Sequence, residues 1–81
     1  MDFLAHVFVQ LKPEVNDPQG STVLSALSSL GFSSVNNVRV GKFMVISLEA
    51  PDRESASNQV REMGQRLLAN PTIENFEVRV Q

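Results

Sequence analysis

The sequence predicts an α+β domain of the ferredoxin-like βαββαβ arrangement, a four-stranded antiparallel sheet with two helices on one face. Three observations carry that expectation. Apolar residues alternate at period two at both ends of the chain, they recur at helical spacing in two interior stretches, and the intervening breaks are rich in Pro, Gly and Asn. Eighty-one residues suffice for one apolar core and are too few for two, so residues 1–81 form a single unit.

The first strand is the run in which Phe3, Ala5, Val7, Val9 and Leu11 lie on one side and Leu4, His6, Phe8 and Gln10 on the other. Lys12 to Gly20 follows as an ordered loop with two prolines. Within it Asp17-Pro18 has the chemistry of a helix entrance, a side-chain acceptor for free N–H groups followed by a residue with fixed φ. The first helix is read from Val23, Ala26, Leu27 and Leu30 at i, i+3, i+4 and i+7, and it should stop at Gly31.

Val35, Val38 and Val40, then Gly41-Lys42, then Phe43 to Leu48 predict a hairpin. A two-residue turn would pair Val40 with Phe43 and Val38 with Val45, yet Met44, Ile46 and Leu48 form an equally apolar opposite side. Either a bulge intervenes or both faces are covered. Asp52 suits an N-cap for a second helix, with Glu54 in its first turn and Ala56, Val60, Met63 and Leu67 on its inner face. Asn70-Pro71 ends it, and Ile73, Phe76, Val78 and Val80 make a last strand with one wet face.

The usual strand order of this arrangement is 4-1-3-2, with the first and third strands central. Their second faces would then display Leu4 and Phe8 together with either Phe43 and Val45 or Met44, Ile46 and Leu48. Leu4, Phe8, Phe43 and Val45 are therefore candidates for burial against another subunit. A chain this small buries only about 60% of its unfolded surface, and with no Cys no disulfide can supplement the core. Self-association as a dimer or tetramer is the expected supplement.

Seven Lys and Arg against nine Asp and Glu give a net charge of −2, the wrong sign for a chain that must displace phosphate counterions, so nucleic acid is not an expected partner. No apolar run approaches the ~20 residues that cross a bilayer, and the expectation is a cytoplasmic protein without membrane contact. Chemistry is sparse. The single His6 has no His or Cys to join it in a metal site, Glu74 and Glu77 read as solvated charges, and there is no phosphate-cradling glycine motif. No catalytic, cofactor-binding or metal-ligating residue is assigned. Arg39 and Lys42, beside Gly41, form the only cationic cluster next to a glycine turn, and Lys12 or Arg39 could instead pair with Glu14 or Asp17.

The loops carry more identity than the strands. Leu11-Lys12-Pro13, Val15 to Gly20 as VNDPQG, Val38 to Lys42 as VRVGK, and Leu67 to Glu74 as LLANPTIE resemble, in the same order, the hallmark segments of the PurS family. The resemblance implies a non-catalytic subunit of phosphoribosylformylglycinamidine (FGAM) synthase, in the fourth step of purine synthesis. It implies PurL as the synthetase partner, which uses the ATP and Mg, and PurQ as the glutaminase, with this chain bridging them and helping to shield ammonia in transit. No cofactor on this chain is implied. Asp17, Gln19 and Gly20 in the first loop, and Arg39, Gly41 and Lys42 at the expected hairpin, are the matching positions expected to contact partners, because loops present polar groups without disturbing a core. A stand-alone ligand-sensing βαββαβ dimer is the alternative, since the arrangement alone does not fix function.

Overall fold

The computed structural model describes residues 1–81. The chain runs β1 (Asp2–Leu11), α1 (Pro18–Ser29), β2 (Gly41–Glu49), α2 (Arg53–Met63), a π-helical turn (Gly64–Leu68) and β3 (Glu74–Val80). The sheet is antiparallel with order β2-β1-β3. The expected alternation of β1 holds: Phe3, Ala5, Val7 and Val9 are buried, while Leu4 and Gln10 are exposed.

Beneath β1 lies the dry core, Ala5, Val7, Val9, Val60 and Ala69, flanked by Met44, Ile46, Leu48, Met63, Leu68, Phe76, Val78 and Val80. Ala5 and Ala56 are both fully buried, and methyl side chains at these positions let α2 approach the sheet closely. The Asp52 carboxylate caps α2 by accepting from the Ser55 N–H at 2.7 Å, and Glu54 and Arg61 sit at the helix ends that favour their charges.

Two departures from expectation concern the sheet. It has three strands, and it corresponds to the order 4-1-3-2 with the second strand missing. Residues 35–40 belong to no strand, and at their end the Val40 N–H donates to Asp17 Oδ2 at 2.7 Å instead of entering a ladder. Gly41-Lys42 is accordingly no hairpin tip. Gly41 pairs with Gln10 and Lys42 with Val9 as the first residues of β2. That register resolves the two-faced strand: Met44, Ile46 and Leu48 turn toward α2, and Phe43 and Val45 turn to the open face.

A third departure lies at the end of α2. Leu67, expected on the inner face, is 82% exposed, while Leu68 is half-buried and Ala69 buried. The π turn is the reason, since its Ala69 N–H reaches back five residues to the Gly64 carbonyl at 3.0 Å and shifts the helical phase by one residue. Gly64 is buried against the Phe76 ring, where a Cβ would overlap it.

The fourth departure is the largest. Only α2 packs on the sheet, against β1 and β3; α1 belongs to neither core cluster. Residues 12–40 form an arm in which α1 leads out and residues 32–40 return. The molecule is consequently long, 50 × 25 × 14 Å, with a radius of gyration of 16.1 Å, against about 12 Å for a compact chain of this length.

Candidate functional site: an open sheet face and a clamped arm

The face of the sheet opposite α2 has no helix over it. Phe8 and Phe43 pair across β1 and β2, their ring centroids 5.0 Å apart, and His6 meets Phe43 edge-on at 5.4 Å. From β3, the Arg79 guanidinium lies 5.4 Å from the centre of the Phe8 ring and donates to Glu77 at 3.0 Å. Leu4 is 45% exposed, Phe43 56% and Val45 53%. All four interface candidates thus share one face, Phe8 at its centre. Beside it, Phe8, Gln10, Asn75, Phe76, Glu77 and Arg79 line a shallow hollow of about 350 Å³. The cation over the ring and the rim of amides make this face adhesive by apolar contact with polar registration.

The base of the arm is built differently, from a carboxylate and a guanidinium used internally. Asp17 is 5% exposed, and its two oxygens take the Gly20 N–H at 3.0 Å and the Val40 N–H at 2.7 Å. These two backbone donors, Val40 first, hold the carboxyl below its ordinary value of 3.8, with the Arg39 charge adding to them against the opposing effect of burial. Arg39 spans the loop, donating to the carbonyls of Lys12 at 2.9 Å and Val15 at 2.8 Å. Neither pairs with the partner considered from sequence; the loop backbone takes that place. Gly20 sits so close to the Val38 carbonyl that any side chain there would overlap it, and Gly41 backs onto the Val9 carbonyl in the same way.

Among the six loop and turn candidates, Asp17, Gly20, Arg39 and Gly41 therefore have jobs inside the chain. Gln19 and Lys42, exposed as Arg39 and Gly41 also are, are the two without such a job; Lys42 reaches Glu74 at 4.0 Å with 66% of its side chain still exposed. Asn70, in the LLANPTIE segment, is conformational: its side chain accepts from the Thr72 N–H and its carbonyl takes the N–H groups of Ile73 and Glu74. The uncharged arm itself was missed. Its signal was present in the sequence, the stretch from 18 to 38 without Asp, Glu, Lys or Arg.

No three His, Cys, Asp or Glu side chains converge in a group suited to a metal ion, and no helix is long and apolar enough to cross a membrane. The features that stand out are an open apolar sheet face and a projecting arm, which define the class: a small α+β domain with one uncovered sheet face. The profile of the PurS family, described as phosphoribosylformylglycinamidine (FGAM) synthase, matches residues 4–81, and the chain belongs to that family. It is 47% identical over 70 residues to the PurS subunit of this synthase from Synechocystis, covering 86% of this chain and 70% of that one. Among solved structures, it superposes on Bacillus subtilis PurS with a TM-score of 0.86 at 42% identity, covering 98% of each chain. A chain of the PurLQS structure from Thermotoga maritima gives a TM-score of 0.91 at 32% identity, covering 100% of this chain and 99% of that one. The chain is accordingly a subunit type of FGAM synthase, in purine biosynthesis.

Proposed function

We propose that this chain works as a non-catalytic assembly subunit that joins a PurL-type synthetase to a PurQ-type glutaminase and helps shield ammonia passing between them. The observation that carries the reading is the near-complete superposition on a chain of a PurLQS assembly, in a molecule whose most developed surface is the open apolar face of Leu4, Phe8, Phe43 and Val45. That face is covered by another subunit in the assembly, because water against clustered aromatic and aliphatic side chains is costly at about 25 cal/mol per Å². Gln19 and Lys42 supply polar contacts at the arm's base. Copies of the chain also associate with one another, as a dimer or tetramer, and the complex is cytoplasmic. ATP and Mg are used on the synthetase, and no cofactor is held here.

The test is glutamine-dependent synthesis of formylglycinamidine ribonucleotide by purified PurL and PurQ, with and without this chain. Activity that appears only on addition of the chain, together with a ternary complex on gel filtration, is the expected result. An unchanged rate with no ternary complex overturns the reading. A Phe43→Asp variant, exposed at the sheet face and therefore able to fold, should lower the apparent affinity of assembly at least about tenfold through one unpaired buried charge.

A further inference from the structure

The chain has one histidine and no cysteine, so His6 is its only side chain of a type that changes charge between about pH 5 and 8. It stands in the middle of the open face, half-buried between Leu4 and Phe8 on β1, with its ring 5.4 Å from that of Phe43. No metal site includes it, and the assembly role proposed above gives it no task.

The surroundings of the imidazole suit it only while it is uncharged. On β2 its cross-strand partner is Val45, and its ring neighbour is Phe43. On β3 its cross-strand partner is Arg79, directly opposite, where like charges on neighbouring strands destabilise. The side-chain nitrogen of Gln81 lies 3.4 Å from His6 Nδ1, and Nδ1 can accept that N–H only while it carries no proton of its own. Carboxylates that would steady an imidazolium are committed or distant. Glu77 accepts from Arg79 Nε at 3.0 Å. Asp2 and its cross-strand partner Glu49 stand at the far end of the strands, about 13 Å along from His6 at roughly 3.3 Å per residue. The Met1 amine is at that end too, donating to the Ala50 carbonyl, and α2 lies on the opposite face of the sheet.

In the free chain, water over the open face can hydrate an imidazolium. Once another subunit covers Leu4, Phe8, Phe43 and Val45, that water is gone, and a charged His6 becomes a second cation beside Arg79 without a counter-charge of its own. Attraction to the Phe43 ring offsets only part of this loss.

We propose that His6 is a proton gate on the covering of the open face: association requires the neutral imidazole, so the face joins its partner subunit at neutral pH and lets go on acidification. The inference rests on the assembly reading above and adds regulation to it. Because the free chain takes up a proton that the complex excludes, association strengthens as pH rises and weakens as pH falls. One such proton lowers affinity by about tenfold between about pH 7.5 and about pH 5.5.

Binding of the chain to purified PurL and PurQ, followed by sedimentation at those two pH values, tests the gate in wild type and in His6→Gln. The glutamine keeps a polar side chain of fixed charge on the open face, where it does not disturb the core. Titration of the partners is common to both chains, so the difference between their pH responses isolates His6. Wild type should lose about tenfold more affinity than His6→Gln on acidification, and equal responses overturn the proposal. A second readout uses the single histidine directly. In nuclear magnetic resonance of isotope-labelled chain, the imidazole should take up its proton at a lower pH in the complex than in the free chain; a ring that charges at the same pH in both states overturns the gate. A chain that binds neither partner at any pH sinks the assembly reading and the gate together, whereas a stable complex with equal pH responses sinks the gate alone.

Discussion

The two halves of this molecule are held by different physics. In the β1-β3-α2 half, side chains do the work: Val7, Val9 and Val60 are each within 1% of full burial, and loss of any of them leaves a hole that close-packed neighbours cannot fill. In the arm, backbone groups and two charged side chains do the work, and between Pro18 and Ser29 only Gly20 is buried. A buried carboxylate with two donors fixes a direction at one point; a packed face fixes it along a whole element. The arm is therefore positioned but not enclosed, which suits a part whose apolar side is meant for something else.

The strongest way to break that contrast is to cut equally into both halves. Val60→Ala should destabilise the chain by about 2 kcal/mol or more, lowering Tm by roughly 10 °C in a domain of this size. Leu27→Ala, measured at dilutions where the chain is monomeric, should shift Tm by less than about 3 °C, because a half-exposed helix residue without a sheet against it contributes little. Equal losses would mean that the arm is part of the monomer's core. Next in size is Gly20→Ala, whose methyl would overlap the Val38 carbonyl. It should cost about 1–2 kcal/mol, read as lost amide protection in residues 18–40 with protection of β1 retained. Uniform loss of protection would show the clamp and the core to be one cooperative unit.

A smaller effect sharpens the electrostatic side. The Asp17 and Asp52 carboxyls are both held below 3.8 by backbone donors. A depressed folded value means that each contributes stability fully present above its unfolded pKa and lost as pH falls through the lower folded value. Stability should hold from neutral pH down to about 4 and decline below it. Asp17→Asn should make that acid limb shallower and lower Tm by several degrees at pH 7; an acid limb identical to wild type would mean that Asp17 does not titrate with folding. Smallest of all, Arg66→Ala removes the exposed Arg66–Glu62 pair at 3.2 Å and should change stability by less than about 0.5 kcal/mol.

The same contrast explains what could be read in advance. β1, the Asp17 and Asp52 caps and the stop at Gly31, whose φ is +98°, were legible because each depends on neighbours in sequence. Alternation placed Leu4 and Phe8 on one face, but Phe43 and Val45 were one of two alternatives there until the pairing of β2 with β1 chose between them. The fourth strand did not materialise because the Val40 N–H answers to Asp17, 23 positions away, and period-two patterning carries no trace of such a competitor. The roles of Gly20 and Arg39 were hidden for the same reason: exposed and buried uses of a loop residue look alike until the backbone it touches is known. Nor could periodicity reveal that α1 leaves the sheet, since an amphipathic stripe states that a helix needs a cover without saying whose.

The π turn at Gly64–Leu68 acts as a phase shifter. It absorbs one surplus residue inside the helix, so β3 still meets β1 in continuous register from Leu11↔Glu74 to Ala5↔Val80. An insertion at this point would otherwise have turned every side chain of β3 to the wrong face. Loss of one residue within the turn should be tolerated as a plain α-helical ending, with the sheet on either side of it unchanged.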